Sequence, residues 1–139
     1  MELENPSRLA TVAAAVAALL SAVVFAPLAL VSGANSTLGA YYAGGPFGLT
    51  AVGLLALLSI VVFLSVDQPH TDTLLLSGAG LVVGVVTLLL AVVWLVTLDE
   101  TVLFSFPAEY AWIESHRWVV LAVALALAAV TGAQARSAL

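Results

Sequence analysis

With 139 residues, 63% of them hydrophobic and 8% charged, the chain lies far from the roughly 45–50% apolar and 25% charged balance of soluble domains. Eight acidic residues and three arginines cannot cover a water-facing surface, so lipid is the expected solvent; a formal net charge of −5 with no lysine lacks the basic stripe that nucleic acid requires. The absence of cysteine excludes disulfides, thiolate nucleophiles and iron–sulfur clusters.

The first apolar run covers about residues 9–31, opened by Asn5, Pro6 and Ser7 as cap and first-turn signals and interrupted only by Pro27. It is long enough to cross a hydrocarbon core of about 30 Å, which needs roughly 20 helical residues. A cleaved leader competes for this run, because Ser32 and Ala34 form a small-x-small site. The apolar stretch exceeds the roughly 7–15 residues of a signal core and its amino end carries only Arg8, which favours a retained span. The second run, about 47–66, is bounded by Gly44, Gly45 and Pro46 before it and by Asp67, Gln68 and Pro69 after it. The third, about 73–98, is the longest and has no charge between Asp72 and Asp99, so its ends are expected to tilt or protrude. The fourth, about 117–134, is the shortest. These runs predict one domain: an all-α, integral membrane four-helix bundle running up-down-up-down.

Orientation follows the arginines. Four spans place Arg8 and Arg136 on one side and Arg117 on the other, which predicts a multi-pass protein of the cell membrane with both termini cytoplasmic. The Asn35-Ser36-Thr37 sequon then falls outside, with Asn35 as a possible glycan acceptor; chance explains such a three-residue pattern about as well. Between the second and third spans the short acidic turn makes those helices antiparallel neighbours. Both outer loops hold an aromatic belt of Tyr41, Tyr42, Phe104, Phe106, Tyr110, Trp112 and Trp118. Residues 107–116 read as a short surface helix, with Trp112 and Ile113 toward lipid or protein and Glu109 and Glu114 toward water.

Helix contact is the most specific signal. Ala10, Ala14, Ala18, Ala22 and Ala26 recur every fourth residue in the first span, and the third carries Gly80-x-x-x-Gly84 beside Gly78. Ala124, Ala128 and Gly132 repeat the spacing in the fourth. Small residues so arranged let a second backbone approach closely, although alanine-rich helices also produce the spacing by chance.

Chemistry is harder to find. No acid, base or histidine lies mid-span, which opposes ion or proton transport, and a small multidrug-type antiporter would need an acid in the first span. His70 and His116 fall on opposite sides of the membrane, too far apart to share haem or a metal, and both read as solvated loop residues. A surface metal site of His116 with Glu109 and Glu114 has a single strong nitrogen ligand. The span hydroxyls Ser21, Thr50, Ser59, Ser77 and Thr87 have no base beside them in sequence and are expected to bond back to a helix.

The stretch from Tyr41 through Tyr42, Ala43, Gly44 and Gly45 to Pro46, Asp72 at the start of the third span, Trp94 near its end, and His116-Arg117-Trp118 opening the last resemble small four-span membrane proteins of haloarchaea grouped only as a domain of unknown function. The resemblance covers nearly the whole chain and implies fold and source, with no activity or site residue. A lysine-free, acid-rich composition fits dense salt, where the Debye length shrinks to a few Å. The expectation is a non-enzymatic protein without catalytic, metal or cofactor residues. It would be a structural or interaction subunit of a membrane complex, with the bilayer and a homo-oligomer or other membrane subunits as partners. A module for an apolar ligand such as a carotenoid, quinone or lipid, walled by Trp94, Phe104 and Trp112, is the alternative; a channel or transporter using only backbone and hydroxyl groups is a weaker one.

Overall fold

The computed structural model describes residues 6–31, 35–44, 47–66, 68, 72–98 and 100–139. The Asn5 cap, the Gly45-Pro46 breaker and His70 lie outside them. The described residues are helical with no strand: α1 (Pro6–Leu30), α2 (Asn35–Tyr42), α3 (Gly48–Leu64), α4 (Thr73–Thr97), α5 (Glu100–Phe104), a 3-10 turn (Ala108–Tyr110) and α6 (Ile113–Ala138). Among the described residues three segments are long and apolar enough to cross a membrane: Arg8–Leu30, Thr73–Thr97 and Ala108–Ala138. The fourth apolar helix, α3, has 17 residues.

α1 starts at Pro6 rather than about 9, α2 fills part of what read as a loop, and α6, read as the shortest run, is the longest described helix with 26 residues and ends at Ala138. Two further boundaries differ from those read in the sequence. The second run loses its last residues because Ser65 and Val66 leave the helix as a turn. At the other boundary, the surface helix expected over 107–116 is instead a 3-10 turn that runs straight into α6. Backbone bonds from Tyr110 to Pro107, Ala111 to Ala108, Glu114 to Ala111 and Ser115 to Trp112 carry the chain without a break, so α6 starts at Ile113, several residues before 117. Ile113 is buried, while Glu109 and Glu114 are exposed. Asp72 caps α4, its carboxylate accepting from the Leu74 and Leu75 amides at 3.0 and 3.2 Å.

The long helices form a ring in which α1 packs on α3 and α6, and α4 packs on the same two. They alternate in direction. One end gathers Ala10, Ala13 and Ala14 from the start of α1 with Phe63 from the end of α3, Leu76 from the start of α4 and Val130 from late α6. The opposite end gathers Val24, Leu49, Trp94 and Ile113, with Leu38, Tyr41 and Tyr42 of α2 folded across them.

Glycines set three of the helix approaches. A Cβ on Gly53 of α3 would lie 2.9 Å from Val24 of α1 and overlap the Phe25 ring. One on Gly80 would overlap the Phe63 ring of α3, and one on Gly84 would sit 2.9 Å from the Thr131 methyl of α6. The Gly80 and Gly84 pair therefore serves two different neighbours, because α4 stands between α3 and α6. Gly78 has nothing within 4 Å of its Cβ position. Gly84→Ala is expected to destabilise the protein by about 1–3 kcal/mol through overpacking. Gly78→Ala should be neutral or stabilising by up to about 1 kcal/mol, the helix preference of alanine over glycine. Unfolding in mixed micelles measures both, and equal effects would contradict the packing described.

On α1 the buried face is Ala10, Ala13, Ala14, Ala17, Leu20 and Val24, whereas Ala18 and Ala22 point outward and Ala26 is half-buried. A spacing of four residues advances about 400° at 3.6 residues per turn, so a strict every-fourth stripe drifts around the helix and leaves the interface after two steps. Ala124 is buried, and Ala128 and Gly132 are half-buried.

Candidate functional site

Proline cannot donate a backbone hydrogen bond, so Pro27 leaves the carbonyl four residues earlier, Val23, without its helical partner. The helix continues beyond it, with the Val31 amide donating to the Pro27 carbonyl at 2.9 Å. The vacancy on Val23 is filled from another helix: His116 Nε2, in the first turn of α6, lies 2.6 Å from the Val23 oxygen. A carbonyl only accepts, so Nε2 carries the proton. In the neutral ring Nδ1 is then an acceptor, and the Tyr41 hydroxyl donates to it at 2.6 Å. Tyr42 donates its hydroxyl to the next carbonyl of α1, Val24. The break in α1 is thus bridged by α6, and α2 bonds the carbonyl beside it.

Aromatic packing holds these donors in place. Tyr41 is fully buried, with Trp94, Tyr42 and Phe106 at ring-centroid distances of 5.2, 5.8 and 5.8 Å, all edge-to-face. Trp94, 1% exposed, donates Nε1–H to the Tyr41 carbonyl at 3.0 Å and so ties the end of α4 to α2. Burial and the neighbouring Tyr42 raise the Tyr41 pKa, with Arg117 opposing, and burial pushes Tyr42 up to about 12 against a backbone hydrogen bond at Leu28. Both hydroxyls therefore stay protonated at neutral pH and act as donors, as the geometry requires.

A second polar contact lies toward the opposite end. Gln134 of α6 is fully buried and donates Nε2–H to Ser77 Oγ of α4 at 2.8 Å. The other interior hydroxyls bond within their own helices: Ser21 to Ala17, Ser59 to Leu55, Thr87 to Val83 and Thr131 to Ala128, at 2.6–2.9 Å. Thr50 is exposed.

Several of these positions differ from the sequence reading, and Tyr41, Tyr42 and Phe106 of the expected aromatic belt are buried. His116, read as a solvated loop residue, is 6% exposed, because α6 starts early enough to carry it under α2. Trp94, Phe104 and Trp112 do not converge on a pocket: Trp94 is core, Phe104 is 70% exposed and Trp112 is 38% exposed. Asn35 opens α2, and its side chain lies outside the described residues. Among the described residues no three His, Cys, Asp or Glu side chains gather in a metal-binding group. Sequence reasoning passed over Gln134, Gly53 and the Val23 carbonyl. The pairing of Pro27 with a polar donor elsewhere was the signal for the last, since a proline inside a span obliges some group to satisfy the carbonyl it frees.

No curated protein and no solved structure matches the chain. A family model does match, over residues 1–139: the chain belongs to DUF7548, a family of unknown function.

Proposed function

We propose that this chain is a non-enzymatic, four-span membrane protein that serves as a structural or interaction subunit of a membrane complex. The observation that carries the reading is the inverted polarity of its helices. Ser59, Ser77, Thr87, Thr131 and Gln134 are buried, while Leu19, Leu54, Val61, Leu75, Val82, Leu89, Val96 and Leu125 are exposed on the outside. Such an exterior suits hydrocarbon and not water. The 17 residues of α3 rise about 25 Å, within the range that spans with slight local thinning of the bilayer. Burial of Ala13, Ala17, Leu20 and Val24 at the centre of the ring supports α1 as a retained span over a removed leader. Arg8 and Arg136 at the same end favour cytoplasmic termini. The lysine-free acidic composition fits a salt-loving archaeal source.

The interaction role rests on what the interior leaves unused. Ala18 and Ala22 present small side chains to the surrounding lipid, where another helix could approach closely. Because the chain has no cysteine, Ala18→Cys and Ala22→Cys report on this face alone. Oxidative and bifunctional cross-linking in native membranes should join this face to a second copy or to another subunit. A chain that stays monomeric at both positions would overturn the interaction reading.

A further inference from the structure

We propose that the groove between the first half of α4 and the last turns of α6 holds one hydrocarbon chain of an anionic membrane lipid, with its headgroup on Arg136. The groove has a volume of about 360 Å³, within the roughly 300–1,000 Å³ of small-molecule sites, and its walls include Leu74 and Leu81. Its space comes from two glycines. Gly78 and Gly132 both line it, and neither has an atom within 4 Å of its Cβ position, whereas Gly80 and Gly84 on the same helix as Gly78 are filled by Phe63 and Thr131. Internal packing therefore accounts for Gly80 and Gly84 and gives no reason for Gly78 or Gly132. The bond between Gln134 and Ser77 lies behind the groove, so its back is fixed.

Charge selects the occupant. Arg136 is the single charged side chain in the lining and stands exposed near the end of α6. Asp72, at the start of α4, has its carboxylate engaged with the Leu74 and Leu75 amides. A basic side chain closing an apolar slot between two spans is the chemistry that recognises an anionic headgroup over a zwitterionic one.

The proposal rests on the membrane reading above, and one experiment separates the two. The full chain and its Gly78→Leu, Gly132→Leu and Arg136→Gln variants are expressed, tested for membrane partition, and titrated in detergent with phosphatidylglycerol or phosphatidylcholine while bound lipid is counted by native mass spectrometry. The natural chain should retain phosphatidylglycerol preferentially. Each leucine should lower retention roughly tenfold by occupying the slot. Arg136→Gln should lose the preference, roughly fivefold, and keep the hydrocarbon contact. Failure to enter membranes sinks the membrane reading itself. Normal partition with equal retention of both lipids, with no effect of either leucine, or with a dimer that the leucines abolish overturns the lipid site alone. Unaltered melting of Arg136→Gln shows that its effect is not one of folding.

Discussion

Trp94→Ala is expected to lower the stability of the protein by about 3–5 kcal/mol, the range for removing a buried large aromatic. The ring is 1% exposed, meets Tyr41 edge-to-face at 5.2 Å and carries the hydrogen bond to the Tyr41 carbonyl. Its loss opens a cavity under α2 that the rest of the chain cannot refill. Trp94→Phe keeps most of the apolar volume and forfeits the N–H, so it should cost about 1–2 kcal/mol. Unfolding by denaturing detergent in mixed micelles, followed by far-ultraviolet circular dichroism, measures the series. An alanine variant within about 1 kcal/mol of the natural chain would mean that the aromatic cluster is not a packed core.

The second large effect concerns His116. His116→Ala removes both the donor to Val23 and the acceptor for Tyr41, and should destabilise by about 2–4 kcal/mol, since hydrogen bonds in membrane interiors contribute about 0.6–2 kcal/mol each and a cavity adds to them. Part of that loss depends on Pro27. In a Pro27→Ala background the restored amide supplies the Val23 carbonyl from within α1, and His116→Ala should then cost about 1 kcal/mol less. A double-mutant cycle with no coupling between positions 27 and 116 would show that the histidine does not complete the helix at its break.

The sequence exposes the long elements well, because apolar runs bounded by proline, glycine and acidic residues admit few other readings. Residues 73–98 became α4 almost unchanged, and Asp72 caps it as an acidic residue at that position should. Faces were harder to read. The alanine repeat in α1 follows a period of four, while burial follows 3.6, so Ala13 and Ala17 lie inside and Ala18 and Ala22 outside. The polar site was hidden for a different reason: titratable and aromatic residues between spans look like belt and loop. Nothing local announces that α2 folds back over the bundle's end with Tyr41 buried. His116 became legible only once α6 was seen to begin at Ile113. Gly80 and Gly84 were visible as a pair, yet spacing alone could not assign them to separate neighbours.

On the membrane reading proposed above, the bridge at Pro27 would also order events during biosynthesis. The first span would reach the bilayer with the Val23 oxygen lacking its own-helix donor, and the histidine that supplies one lies 93 residues further along the chain. An unpaired carbonyl in hydrocarbon costs several kcal/mol, so the early segment has an incentive to stay near the translocon's wet interior until the last helix arrives. On that reading, a chain truncated before α6 would lack the His116 donor and leave the Val23 oxygen without it.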